Sequence, residues 1–153
     1  MTRGMLGEIP MYQHILVPTD GTSISASAVK NAVSLAKTVG AKVTVLTVVA
    51  RFPALPLGAS NPYVDEFTRH AHADADRRLT EAEQEAKRVG VSCEVVKVED
   101  RQPYEAIIET AEARGCDLIA MASHGRRGFS ALVIGSETMK VLTHSKLPVL
   151  IYR

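Results

Sequence analysis

The sequence predicts an α/β fold, a doubly wound, five-stranded parallel sheet with helices on both faces. Apolar, β-branched runs alternate with segments of helical spacing along the chain, and such alternation builds βα units with right-handed crossovers. Most of the runs lack a polar alternate position, as strands covered on both faces do. Gly40, Gly90 and Gly115 each follow a helical segment, where a left-handed residue ends a helix. The expected strand order is 3-2-1-4-5. With 153 residues, the chain fits one domain, taken as residues 11–153 behind a leader, 1–10, expected to be disordered.

His14-Ile15-Leu16-Val17 reads as the first, fully buried strand, stopped by the turn formers Pro18-Thr19-Asp20-Gly21. From Ile24, the positions Ala28, Ala32, Leu35, Ala36 and Val39 keep helical spacing, with Thr22 or Ser23 as N-cap. Val43 to Val49 is the second strand, and Arg51 to Pro62, rich in proline and without period, is a surface loop able to act as a lid. Val64, Phe67, Ala71, Ala75, Leu79, Ala82, Ala86 and Val89 form one apolar stripe on a long second helix. Val91 to Val98 alternates in part, which suits an edge strand with one wet face. Pro103 opens a third helix bearing Tyr104, Ile107, Ile108 and Ala111, and Asp117 to Met121 is the fourth strand. A helix from about Ser136 to Ser145 and a fifth strand, Leu147 to Tyr152, close the chain.

A net charge of +1 offers no broad basic surface, so no nucleic-acid partner is expected. No window is long and apolar enough for a membrane span and no signal core opens the chain, so no membrane partner is expected either. Cys93 and Cys116 sit in apolar, strand-like runs without metal-ligand spacing; they read as buried free thiols of a cytoplasmic protein.

Chemistry concentrates in the stretch from Met121 to Ser136, a strand-to-helix loop with glycines at both ends. The first turn of a helix has unpaired N–H donors and a positive dipole end, so such a loop can cradle an anion. In a doubly wound sheet, ligands bind outside the C-terminal strand ends where the winding reverses. If strands one and four are neighbours there, the Pro18–Gly21 turn lines the same crevice. The loop has neither the GK[ST] ending of a P-loop nor a GxGxxG pattern after the first strand.

From Met11 to Arg153 the sequence resembles a universal stress protein. The resemblance is carried by Ile15-Leu16-Val17-Pro18-Thr19-Asp20-Gly21 and by the stretch from Met121 through Pro148-Val149-Leu150. The ATP-binding branch of that family has glycine, two residues, glycine, nine residues, then glycine and Ser or Thr; Gly125, nine residues, Gly135 and Ser136 match that spacing. Ala122 stands at the first glycine, where a methyl group bears on how closely phosphate approaches the backbone. The resemblance implies a Rossmann-like, adenine nucleotide alpha hydrolase-like domain that binds ATP, possessing a regulatory or sensing role. Adenine would lie near Pro18, Thr19 and the backbone of Val48, and the ribose hydroxyls would donate to Asp20. The phosphates would run along Met121, Ala122, Ser123, His124 and Gly125 to Gly135 and Ser136, with Arg126 and Arg127 neutralising outer oxygens. Mg2+ or Mn2+ would arrive with the triphosphate. A homodimer through Leu147 to Tyr152 is also implied, since a terminal strand apolar on both faces leaves an edge prone to pairing.

Two alternatives stand beside this reading. One is a dimeric stress protein that binds no nucleotide. The other is a weak ATPase or a hydrolase, because Ser123-His124 lies in a strand-to-helix turn with only Glu137 and His144 as later triad partners. No base is assigned near the outer phosphate, so slow hydrolysis at most is expected. His70, His72, Asp74 and Asp76 have metal-ligand chemistry, but spacing pairs His70 with Asp74 and His72 with Asp76 on different faces, as on a solvated helix surface.

Overall fold

The computed structural model describes residues 11–52, 56, 58–100, 102–124 and 134–153. The chain runs β1 (His14–Pro18), α1 (Ser23–Val39), β2 (Lys42–Ala50), α2 (Pro62–Val89), β3 (Cys93–Asp100), α3 (Pro103–Ala113), β4 (Leu118–Ala122), α4 (Ser136–His144) and β5 (Val149–Tyr152). Every strand pairing is parallel and the order is β3-β2-β1-β4-β5, as the alternation of elements predicts. Ile15, Val17, Val43, Val45 and Ala120 face α1 and α2, while Leu16, Leu46, Ile119 and Met121 face α3 and α4. The period of two along each strand thus divides the core into two apolar layers, one on each side of the sheet.

Local chemistry sets most element ends. The Thr22 hydroxyl accepts from Ser25 N (3.2 Å) and caps α1, and Asn61 caps α2 by accepting from Tyr63 N (3.1 Å). Gly40 closes α1 at φ +74°, a conformation that a Cβ disfavours.

Where the structure differs from expectation, pairing and exposure decide. The third strand spans Cys93–Asp100 rather than starting at Val91, since its ladder with β2 runs from Val43–Cys93 to Ala50–Asp100. Val91 is buried against the first core layer before the strand begins. Leu147 lies outside β5, in a turn where its N–H donates to Ser145 Oγ (3.0 Å). Phe67 leaves the buried stripe of α2, which consists of Ala75, Leu79, Ala82 and Ala86; it is 58% exposed and meets Phe52 edge-on with ring centroids 5.1 Å apart. The expected leader, 1–10, lies outside the described residues, as do 53–55 and 57 of the expected lid.

The two central strands stay together only briefly. Their ladder runs from Ile15–Leu118 to Leu16–Ile119, whereas β1 pairs with β2 from His14–Lys42 to Pro18–Leu46. Beyond Pro18, Thr19 N still donates to Leu46 O (2.8 Å), and Thr47 Oγ1 donates to Thr19 O (3.1 Å). The end of β4 is tied the other way, through Ala122–Tyr152 and Ser123 N to Tyr152 O (2.8 Å). The sheet therefore parts between β1 and β4 at its C-terminal edge.

The opposite edge is tied by a polar cluster with His14 and Thr44 buried at its centre. Asp117 accepts from Gln13 N (2.9 Å) and His14 N (3.0 Å), and His14, 4% exposed, meets Thr44 Oγ1 through Nε2 at 2.6 Å. Burial, with Lys42 second, holds the His14 pKa below the ordinary 6.5; Glu94, the Arg114 carbonyl and Asp117 oppose it more weakly. A lowered histidine pKa stabilises the fold fully above the unfolded value, and that contribution is lost as pH falls through the folded one. Unfolding stability measured between pH 7.5 and 5 should therefore fall more steeply for wild type than for a His14→Gln variant; parallel slopes would assign the dependence to other groups.

Candidate functional site

The parted strands bring two turns to one crevice. In the β1–α1 turn, Asp20 Oδ1 accepts from Thr22 N (3.0 Å) and from the Thr22 hydroxyl (2.6 Å), an Asx turn that holds the carboxylate at the strand exit. Ser25, buried in α1, ties the turn to the helix. Its hydroxyl meets Thr19 Oγ1 at 3.1 Å, receives Asp20 N at 3.3 Å and donates to Thr22 O at 3.0 Å. Gly21 takes φ +83°, and a Cβ there would overlap the guanidinium of Arg78 from α2. The positive φ requires glycine at this position, and a side chain there would also displace the Arg78 guanidinium.

Across the crevice, β4 hands over to α4. Gly135 N donates to Ser123 O (2.7 Å), and Thr138 Oγ1 donates to Ala122 O (3.1 Å). A Cβ on Gly135 would lie 3.1 Å from His124 Cα, so the absence of a side chain lets the start of α4 approach the end of β4. The N-cap of α4 is Gly135 itself, which has no side chain to cap the helix, so among the described residues no N-cap side chain takes the first backbone donors of α4. Such a start attracts negative charge.

Most of the residues singled out by sequence converge here. Thr19 is buried, while Pro18, Asp20 and Val48 are partly exposed at the ends of β1 and β2. Met121, Ala122 and Ser123 are buried; His124 and Gly135 are half-buried, and Ser136 is exposed at the first turn of α4. Ala122 is 7% exposed, and along β4 it alternates with Met121, which faces the α3–α4 layer. Its methyl group is accordingly directed to the α1 side and into the protein. Gly125, Arg126 and Arg127 lie outside the described residues. Sequence reasoning missed Ser25, Thr47, Thr138 and Arg78; no local pattern marks them, since each reaches the crevice through a neighbouring element.

Other constellations resolve differently from their spacing. His70 meets Glu66 (3.7 Å), His72 meets Glu99 (2.8 Å), Asp74 meets Arg77 (2.9 Å) and Asp76 meets Lys97 (2.6 Å), so the expected His–Asp pairs do not form. Among the described residues there is no group of three metal-ligating side chains. Ser123 Oγ and His124 Nδ1 lie 2.9 Å apart, but the Glu137 carboxylate accepts from Tyr104 N (3.0 Å) and pairs with Lys140 (2.9 Å). His144 Nδ1 lies 2.9 Å from the Lys140 carbonyl. Cys116 is buried in the turn before β4 and Cys93 is half-buried at the start of β3; both are free, and burial pushes each thiol up to about 11. No helix among the described residues is long and apolar enough to cross a membrane.

The fold is a doubly wound α/β domain with an acidic turn after β1 and a glycine-started helix after β4, both at the C-terminal edge of neighbouring strands where the winding reverses. Residues 11–153 match the universal stress protein family, and the chain belongs to it. Universal stress protein MJ0531 of Methanocaldococcus jannaschii is 30% identical over 145 residues, covering 94% of this chain and 83% of that protein. Among solved structures, the universal stress protein UspA from Lactobacillus plantarum superposes with a TM-score of 0.81 at 25% identity, covering 93% of this chain and 98% of that one. A universal stress protein solved in complex with cAMP superposes with a TM-score of 0.70 at 27% identity, covering 93% and 97%.

The close approach at Gly135 has a measurable consequence. Gly135→Ala forces His124 and α4 apart by a few tenths of an ångström, and denaturant unfolding should show a loss of about 1–3 kcal/mol. An unchanged midpoint would mean that the two segments are free to separate.

Proposed function

We propose that this universal stress protein binds ATP in the crevice between β1 and β4 and acts as a regulatory or sensing module. The observation that carries the reading is the hydrogen bond from Gly135 N to Ser123 O, which sets the start of α4 beside the end of β4, the strand next to β1 and its Asp20 turn. An ionised carboxylate has acceptors only, which suits the hydroxyls of a ribose. A helix start offers backbone donors, which suit phosphate oxygens. The burial of the Ala122 methyl group leaves the crevice side of that residue to its backbone, so the alanine is compatible with a phosphate nearby. The cAMP complex of a relative supports the general class of ligand. In this reading Gly125, Arg126 and Arg127 complete the phosphate end, and Mg2+ or Mn2+ is carried by the triphosphate, with Ser136 as the nearest hydroxyl of α4. The site binds and releases; hydrolysis, if it occurs, is slow.

Calorimetric titration with ATP, with and without Mg2+, should show saturable binding to wild type and weaker binding to Gly135→Ala at a temperature where both are folded. No heat at millimolar ATP would end the nucleotide reading, equal binding would move the phosphates elsewhere, and rapid saturable phosphate release would make the protein an enzyme.

The same reading includes a homodimer through β5. This strand is the sheet edge beside β4, with Leu150 and Tyr152 packed toward one core layer and Val149 and Ile151 toward the other. A strand apolar on both faces with an open edge is covered when a second copy pairs along it. Light scattering at micromolar concentration should give twice the 16.5 kDa chain mass, and a monomer would refute the pairing.

A further inference from the structure

We propose that Arg78 is a positioning residue of the nucleotide site, holding the β1–α1 turn so that Asp20 meets a ribose. The inference rests on the nucleotide reading above and adds a residue that lies on neither turn of the crevice. Its basis is the rotation of α2. At about 100° per residue, the buried stripe Ala75, Leu79, Ala82 and Ala86 faces the sheet, and His72 and Asp76 fall on one flank of that stripe. That flank is pinned to β3 by His72–Glu99 (2.8 Å) and Asp76–Lys97 (2.6 Å). Arg78 falls on the opposite flank, toward β1.

The side chain follows from that placement. Arg77 turns to solvent and pairs with Asp74, whereas Arg78 is half-buried and lies on Gly21, its guanidinium filling the space that a Cβ there would take. Gly21 follows Asp20, whose Oδ1 already takes both bonds from Thr22. A guanidinium is planar, permanently cationic and carries donors in a rigid fork. Seated on this turn, it restrains the backbone next to Asp20 and brings positive charge to the turn that carries the carboxylate. The turn is thereby held at two adjacent positions, at Asp20 by the bonds from Thr22 and at Gly21 by Arg78 of α2.

The test compares ATP with 2′,3′-dideoxy-ATP, which keeps the base and phosphates but offers no ribose hydroxyls. Wild type should prefer ATP by about tenfold or more, the worth of hydrogen bonds to a charged acceptor. Arg78→Met, which keeps the apolar stem, should lose that preference by weakening ATP binding about tenfold while leaving the dideoxy ligand unchanged. Arg78→Gln serves as a second variant, with thermal melting to establish that each is folded. Asp20→Asn should behave like Arg78→Met, and the double variant should be no weaker than either alone. An equal loss for both ligands, an additive double variant or an unchanged Arg78→Met would overturn the assignment while leaving nucleotide binding intact. Failure of wild type to bind ATP would refute the nucleotide reading itself, and this assignment with it.

Discussion

The short ladder between β1 and β4 is the constraint on which the crevice depends. Both strands lie at the centre of the sheet and are buried on both faces, yet they pair only as far as Leu16–Ile119. Each then follows its outer neighbour: β1 is drawn to β2 through Thr19 and Thr47, and β4 to β5 through Ser123 and Tyr152. Had the central ladder continued, the backbone groups of the two exits would be spent on each other. Because it stops, two turns rich in polar groups face one space, at the edge where doubly wound sheets take their ligands.

The two walls are built by different means. The β1–α1 turn is held by side chains, with Asp20, Thr22, Ser25 and Thr19 forming a continuous hydrogen-bonded set. The β4–α4 junction is held by backbone, through Gly135 to Ser123, and by the room that a missing side chain provides. Side chains place a carboxylate in one wall, and backbone places helix donors in the other. A ligand with hydroxyls at one end and phosphates at the other matches that polarity.

The far edge of the sheet is occupied by a different chemistry. His14, Thr44 and Asp117 clasp β1, β2 and the start of β4 together where α3 hands over to the sheet. The strands are thus tied by side chains at one end and part at the other. In the same way, the anchoring of α2 on β3 through His72 and Asp76 fixes which of its side chains turns toward the crevice.

Periodicity and turn chemistry were enough for the element order, the layered architecture and the helix stops at Gly40 and Gly90. These are local signals: a buried strand needs an apolar run, a helix needs a 3.6-residue stripe, and a left-handed stop needs glycine. Glycine spacing likewise pointed to Gly135 and Ser136, and the family resemblance to Asp20. The limits of β3 were beyond local pattern, because an edge strand with one wet face has its ends set by pairing with β2. Phe67 left the stripe because α2 extends past the part of the helix that the sheet covers, so a position apolar by period finds no core beneath it. His72 and Asp76 likewise find their partners, Glu99 and Lys97, on β3 rather than a turn away on the same helix. Arg78 shows this most clearly. Nothing around it in the chain distinguishes it from Arg77, and only the packing of α2 on the sheet sends one to solvent and the other onto Gly21.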